Sequence, residues 1–280
     1  MPTARDIALR IIEAYRTGVG LAPVRGEVNG VPAAYQVQQE AVAVWRQQGR
    51  RVAGAKIGLT AKAVQEQLGV GEPDFGVLFA DMILKNGATV ARDAVMQPRT
   101  EAEIAFVMKR DLAGSHITPE TVIAATDYVV PAIEICGSRI ADWNIHIEDT
   151  IADNASSGLV VVGDVRRKPV LDELAGVAMA LRHNDAPAGE GRGSACLGNP
   201  AIAVAWLAEA LTRFGGKLRA GDLVMSGALS RMVPVEPGSR LVAEFAGWDN
   251  VSVMFAISRQ GARVLPTRSE PGAPSEGSET

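Results

Sequence analysis

Glu101-Ala102-Glu103-Ile104-Ala105-Phe106-Val107-Met108 begins as an alternation of acids with small or apolar residues and ends wholly apolar. In an extended strand successive side chains point to opposite faces, so Glu101 and Glu103 fall side by side on a face that continues into Ala105 and Val107. A third acid, Glu134, lies within Tyr128-Val129-Val130-Pro131-Ala132-Ile133-Glu134-Ile135-Cys136, where every near neighbour suggests burial. A buried ionised carboxylate must be protonated, paired or bound to a metal. Three carboxylates, with no Cys or His expected among them, form a hard ligand set that favours Mg2+ or Mn2+ over Zn2+ or copper. The pattern equally fits a plainer arrangement, with Glu101 and Glu103 on a solvated strand face and Glu134 paired with Arg139.

Lys56 is the single charge in Val52-Ala53-Gly54-Ala55-Lys56-Ile57-Gly58-Leu59. It suits a lysine that binds a carboxylate or transfers protons at a lowered pKa, and equally an edge-strand lysine that blunts pairing. Asp74, between Pro73 and Phe75, reads most simply as a turn residue.

Around these segments the chain has the texture of short strands. Runs at Val52 to Gly58, Phe75 to Ala80, Tyr128 to Cys136, Leu159 to Val162 and Val177 to His183 predict a body made mostly of sheet. Leu223 to Ser226, Arg240 to Phe245 and Val251 to Ala256 have the spacing of neighbouring antiparallel strands. Helices are predicted over Arg5 to Arg16 and Ala33 to Arg46, with an irregular crossing segment from Gly18 to Pro32 between them. A further helix starts at Asn199, a good N-cap, with Pro200 at its first position and Gly215-Gly216 beyond its end. The division expected is a helical segment over residues 1–50, a catalytic β body over 51–262 and a disordered tail over 263–280. Ser, Pro, Gly and Glu dominate that tail, which lacks the large apolar residues needed to offset ordering entropy.

The composition narrows the function. Of 280 residues, 28 are basic and 32 acidic, with no Lys/Arg block, which argues against a nucleic-acid footprint and for a neutral or anionic small molecule. Two cysteines, Cys136 and Cys196, are too few for a disulfide framework, and both read as reduced packing residues. No apolar run approaches a membrane span and the first residues lack the apolar core of a secretory signal, so a cytoplasmic protein is expected. No nucleophile elbow, phosphate loop or zinc helix is present. Gly69-x-Gly71 and Gly189-x-Gly191-x-Gly193 lack the following helix of a dinucleotide site and read as loops. His146-Ile147-Glu148-Asp149 reads as a polar loop or, alternatively, as a source of metal ligands.

Taken together, Lys56-Ile57-Gly58-Leu59-Thr60, Pro98 to Ala105, Pro131-Ala132-Ile133-Glu134 with Gly137 to Trp143, Asp149 to Gly158, Gly191 to Gly198 and Gly221 to Leu229 resemble the 2-keto-4-pentenoate hydratases of the fumarylacetoacetate hydrolase superfamily. The resemblance runs from the first helix to about Ala256. It implies an α+β fold, a mixed β-sandwich roll with N-terminal and peripheral helices. It also implies that Glu101, Glu103 and Glu134 hold Mg2+ or Mn2+, that Lys56 and Asp74 flank the bound acid, and that Ser157 and Ser226 bind substrate. Ser226 stands where threonine is expected in many relatives, and the hydroxyl is kept.

The activity implied is addition of water to 2-hydroxypenta-2,4-dienoate or a close homologue in meta-cleavage catabolism of aromatic compounds. The 4-oxalocrotonate decarboxylases share the metal site, the lysine and the Ala-Asp-Asn-Ala-Ser segment, and a non-catalytic partner subunit is a third reading. Gly137 to Trp143 looks hydratase-like. Hydrolases of the superfamily carry a histidine early in the domain, whereas none precedes His116 here. A homo-oligomer, and a complex with a downstream aldolase or related decarboxylase, are the partners the resemblance implies.

Overall fold

The computed structural model describes residues 1–61 and 72–258. The expected tail and the Gly69-x-Gly71 segment lie outside them. Strands β1 (Val52–Gly58), β2 (Asp74–Phe79), β3 (Ile83–Lys85), β4 (Ala88–Val90), β5 (Arg99–Met108), β6 (Thr126–Cys136), β7 (Leu159–Val162), β8 (Ala178–His183), β9 (Ala186–Arg192), β10 (Leu223–Ala228), β11 (Val233–Pro234), β12 (Arg240–Phe245) and β13 (Val251–Phe255) form two sheets. The larger runs β2-β1-β10-β5-β6-β7-β3, with β11 also paired to β5, and the smaller runs β4-β13-β12-β8-β9. Both are mixed: β1 with β10, β3 with β7 and β4 with β13 are parallel, and the remaining pairs are antiparallel.

β5 and β6 form the centre, paired from Arg99 opposite Cys136 to Met108 opposite Thr126. From Val129 to Cys136 every residue of β6 is buried, so this strand is covered on both faces and reads as a nearly continuous apolar run. That is why Glu134 stands out within it.

α1 (Ala4–Thr17) starts with a capping box between Thr3 and Asp6 and buries Ile7, Ile11 and Ala14. α2 (Gly30–Gln47) buries Tyr35, Val37, Ala41 and Trp45, and its buried Gln38 amide donates to the carbonyls of Phe75 and Ile151. Both helices join the same apolar core as the larger sheet. Among the described residues three helices of four to seven residues follow: α3 (Pro119–Ala125), α4 (Ile147–Ala152) and α5 (Leu171–Leu174). They are too short to show a 3.6-residue period, which is why only one helix is predicted after residue 50.

That one, α6 (Pro200–Arg213), has Asn199 accepting from the Ala201 N–H, as its sequence signals require. The stretch Gly193–Arg213 has the length and hydropathy of a membrane span. Its α-helix proper is only 14 residues, about 21 Å at the helical rise, and it is a core helix with Ala203, Val204, Leu207 and Ala208 buried.

Three expectations are corrected. Gly189 and Gly191 are in strand β9, not in a loop, and a side chain on Gly191 would collide with the Leu229 carbonyl, so close backbone approach explains this glycine. β10 is not a neighbour of β12 and β13 but is inserted between β1 and β5. Lys56 is not on an edge, because β1 pairs on both sides.

Candidate active site

Register brings the acids together. Glu101 stands directly opposite Glu134 across β5 and β6, and Glu103 shares the Glu101 face two residues along. β10 carries an extra residue between Met225 and Ala228 against Ala105 and Glu103 of β5. This bulge, with Gly227 at φ 109°, turns the Gly227 N–H onto Glu103 Oε2 at 2.8 Å. β1 then delivers Lys56, whose Nζ lies 3.2 Å from Glu134 Oε1. β2 delivers Asp74, paired opposite Gly58 and therefore on the Lys56 face. A Cβ on Gly58 would overlap Asp74 Oδ1.

Lys56, Asp74, Glu103 and Glu134 are each 3 % exposed or less, and Glu101 is half-buried. Burial pulls the Lys56 pKa down, but Glu134, followed by Cys136, Asp74 and Glu101, more than reverses this and holds the ammonium well above its ordinary value. The direction is opposite to that of a lysine with a lowered pKa. Burial raises Asp74, with Lys56 opposing. Burial and then Glu134 push Glu101 up to about 7. Burial, Glu134 and Glu101 push Glu103 well above the carboxylate range.

Among the described residues, four carboxylates thus face one ammonium. Among the described residues, Asp74 Oδ1, Glu103 Oε1 and both Glu134 oxygens are buried without a hydrogen-bond partner; the Lys56–Glu134 contact is an ion pair outside hydrogen-bond geometry. Buried acceptors left open beside excess negative charge fit a divalent cation. The tightest ligand group is Glu101, Glu134 and Cys136, whose donor atoms lie within 4.8 Å of one another. Glu103 is outside that group, and the expectation that sulfur is absent from the ligand neighbourhood is corrected. The thiol points to the acids because Cys136 stands opposite Arg99, two residues from Glu101 on the same face.

Behind Asp74 is a second layer that the sequence reasoning missed. Thr150 Oγ1 donates to Asp74 Oδ2 at 3.3 Å and lies 3.3 Å from Ser156 Oγ. Asn154, Ala155 and Ser156 are all left-handed, with φ of 54°, 52° and 51°. Such a run is strained by about 1–2 kcal/mol per residue and needs outside support. Asn154 supplies part of it by pairing its side-chain amide with the N–H and carbonyl of Val77, as a strand neighbour would. Arg139 supplies more: it donates to the Asp153 carboxylate and to the carbonyls of Asp153 and Ser157, and stacks over Tyr15 at 4.0 Å. Arg139 therefore pairs with Asp153 and not with Glu134. The only advance signal was the Asp149 to Gly158 segment as a whole.

Ser157 donates to the Asn154 carbonyl and Ser226 to the Ile104 carbonyl, both at 2.7 Å, so their hydroxyl hydrogens are already used. His146 ends the preceding loop as the N-cap of α4, and Ile147, Glu148 and Asp149 are in that helix, not in a loop. Asp149 of that segment accepts from the N–H groups of Val24, Arg25 and His146 and from the Arg25 guanidinium.

This roll of mixed sheets around a buried carboxylate face is the architecture of the fumarylacetoacetate hydrolase fold: residues 41–255 match the family described as fumarylacetoacetate (FAA) hydrolase, C-terminal. The chain is 47 % identical to the TodF product hydratase of Pseudomonas putida over 264 residues, covering 91 % of this chain and 98 % of the relative. It is 46 % identical over 243 residues to 2-keto-4-pentenoate hydratase 1 of Dechloromonas aromatica, covering 85 % and 92 %. Among solved structures, 4-oxalocrotonate decarboxylase from Pseudomonas putida G7, complexed with magnesium and adipate, superimposes with a TM-score of 0.86 at 31 % identity, covering 90 % and 97 %. The chain belongs to the 2-keto-4-pentenoate hydratase family of the fumarylacetoacetate hydrolase superfamily, and its class of activity is that of a hydro-lyase.

Proposed function

We propose that this hydratase adds water to 2-hydroxypenta-2,4-dienoate, the enol form of 2-keto-4-pentenoate, or to a close homologue, giving a 4-hydroxy-2-oxo acid in meta-cleavage catabolism of aromatic compounds. The observation that carries the reading is the set of buried, unpartnered carboxylate oxygens gathered around Lys56. Glu101, Glu103 and Glu134 would hold Mg2+ or Mn2+, and the magnesium complex of the decarboxylase relative supports that choice. When bound, the ion supplies Lewis-acid charge that favours ketonisation of the dienol.

The chain's own residues do the rest. Lys56, fixed as a cation, neutralises the substrate carboxylate or the developing enolate. Asp74, held by Thr150 at one oxygen and open at the other, exchanges a proton with the substrate. Over the reaction the terminal carbon gains one hydrogen, carbon 4 gains a hydroxyl and carbon 3 gains a hydrogen in exchange for the one the 2-hydroxyl gives up, with one water consumed. Ser157 and Ser226 would bind the anionic substrate as donors, each swinging its hydroxyl hydrogen off the Asn154 or Ile104 carbonyl that holds it here.

We extend the reading to a cytoplasmic homo-oligomer able to associate with a downstream aldolase or related decarboxylase, with residues 1–50 as a helical segment and 51–262 as the catalytic body. Decarboxylation is the weaker reading, because the relatives at 46–47 % identity are hydratases and the decarboxylase stands at 31 %. A purely structural subunit is disfavoured by the retention of so much buried charge.

The test is loss of dienol absorbance when purified protein meets freshly generated 2-hydroxypenta-2,4-dienoate with Mg2+ or Mn2+, with products identified by mass. Chelator-sensitive gain of one water supports the proposal. Carbon dioxide release from 4-oxalocrotonate with no hydration overturns it.

A further inference from the structure

Cys136 is a buried thiol that the proposed hydration leaves without a task. Its Sγ is 3.8 Å from Glu101 Oε2, and the donor atoms of Cys136, Glu101 and Glu134 lie within 4.8 Å of one another. Glu134, 1 % exposed, points two oxygens into that space, and among the described residues neither accepts a hydrogen bond. A sulfur at about 2.3 Å and an oxygen at about 2.1 Å from one tetrahedral ion are themselves about 3.6 Å apart, close to the spacing observed.

The chemistry of this trio differs from that of the three glutamates. Carboxylates alone suit hard ions, whereas a thiolate shifts preference toward borderline and soft ones. Glu103, already bonded to the Gly227 N–H, is outside the trio. One face thus offers two overlapping ligand sets, one all-oxygen and one with sulfur, and both use Glu101 and Glu134.

We propose that Cys136 is a ligand for thiophilic divalent ions such as Zn2+ and Cd2+, bound together with Glu101 and Glu134, and that these ions exclude Mg2+ or Mn2+ from the active site. The inference rests on the reading that these glutamates bind a divalent ion. On binding, the metal–sulfur bond replaces the S–H bond and the thiol proton leaves to solvent; no oxidant or reductant is involved.

The experiment titrates full-length, chelator-stripped protein with Cd2+ under anaerobic conditions and follows the ultraviolet thiolate-to-metal charge-transfer band, with Mn2+ binding measured separately by electron paramagnetic resonance. The chain has only two cysteines, so assignment is direct. The expected result is one equivalent of Cd2+ producing the band in the wild type and in Cys196→Ser. In Cys136→Ser the band is lost and Cd2+ affinity falls by about tenfold or more, while Mn2+ binding is kept. Added Cd2+ should also displace Mn2+ from the wild type.

Cd2+ binding without the band, or a band that survives in Cys136→Ser, overturns the inference while leaving the carboxylate metal site intact. Failure of the wild type to bind either ion overturns both. If Cys136→Ser does not fold, the wild type and Cys196→Ser still decide, because a band in both can come only from Cys136 and its absence from the wild type excludes a thiolate ligand.

Discussion

Asp74 Oδ1 occupies the space where a side chain on Gly58 would begin. The two residues are paired across β1 and β2, so the acid can face Lys56 only because its strand partner has no Cβ. Gly58→Ala should therefore displace Asp74 while leaving the strands paired. Turnover is expected to fall about 100-fold, as small displacements of a reacting group do, with the circular dichroism spectrum and Mn2+ affinity little changed. Wild-type turnover in this variant would remove Asp74 from the chemistry.

Among the described residues, Lys56 is the one cation held against four carboxylates, three of them buried and Glu101 half-buried. In Lys56→Ala, turnover should drop by about 100-fold or more while the protein stays folded and still binds metal, because the acids can take up protons or the ion in its place. Steady-state kinetics alongside a metal titration separates the two effects. Lys56→Arg should not rescue, since a planar fork does not replace a compact ammonium in a closed site.

Metal affinity should depend on pH with a known sign. Ligands must be ionised to bind, and Glu101 holds its proton up to about 7, so apparent Mn2+ affinity should weaken as pH falls through about 7. Stability of the metal-free protein runs the opposite way. Glu101 rises from an ordinary 4.5 to about 7 on folding, so between these values the folded state binds more protons than the unfolded one. The contribution from this group is complete below about pH 4.5 and is lost as pH rises through about 7. Thermal melts with chelator should show that decline, and added Mn2+ should reverse it. Glu134→Gln should weaken Mn2+ binding by tenfold or more, and an unaltered titration would exclude Glu134 as a ligand.

Arg139 is fully buried, and removing it strands the Asp153 charge and frees the left-handed turn. Arg139→Ala should cost about 3–5 kcal/mol in chemical denaturation. A loss below about 1 kcal/mol would show that the turn is supported by other means.

What could be read from the chain alone was whatever violates a local pattern. Lys56, Glu103 and Glu134 stand out as charges in or beside apolar runs; that mismatch singled them out while leaving a solvated face for Glu103 and an edge position for Lys56 equally open, and the sheet pairing decides for burial. What could not be read depends on register between distant segments. Nothing near Leu223 says that β10 inserts between β1 and β5, and hence that Gly227 reaches Glu103. No role was read for Thr150 and Ser156 singly, because Thr150 reaches Asp74 from α4 and Ser156 reaches Thr150 from a turn that Arg139 and Val77 support from other elements. Gly191 read as loop because a glycine that admits a neighbouring carbonyl leaves the same mark as one that makes a turn. Cys136 was taken for packing since its apolar neighbours are what a packed cysteine has; only pairing with Arg99 shows which face it occupies.

The Tyr15 hydroxyl donates to the Ser157 carbonyl, 142 residues further along the chain. α1 precedes β5, β6 and the turn before β7 in the chain, so this tyrosine meets its carbonyl partner only through the tertiary fold. Long-range closure of this kind is slow compared with helix formation. The turn behind the active site is thus fastened from outside, by a helix remote from it in sequence, and changes on that helix can reach the catalytic pocket without touching it.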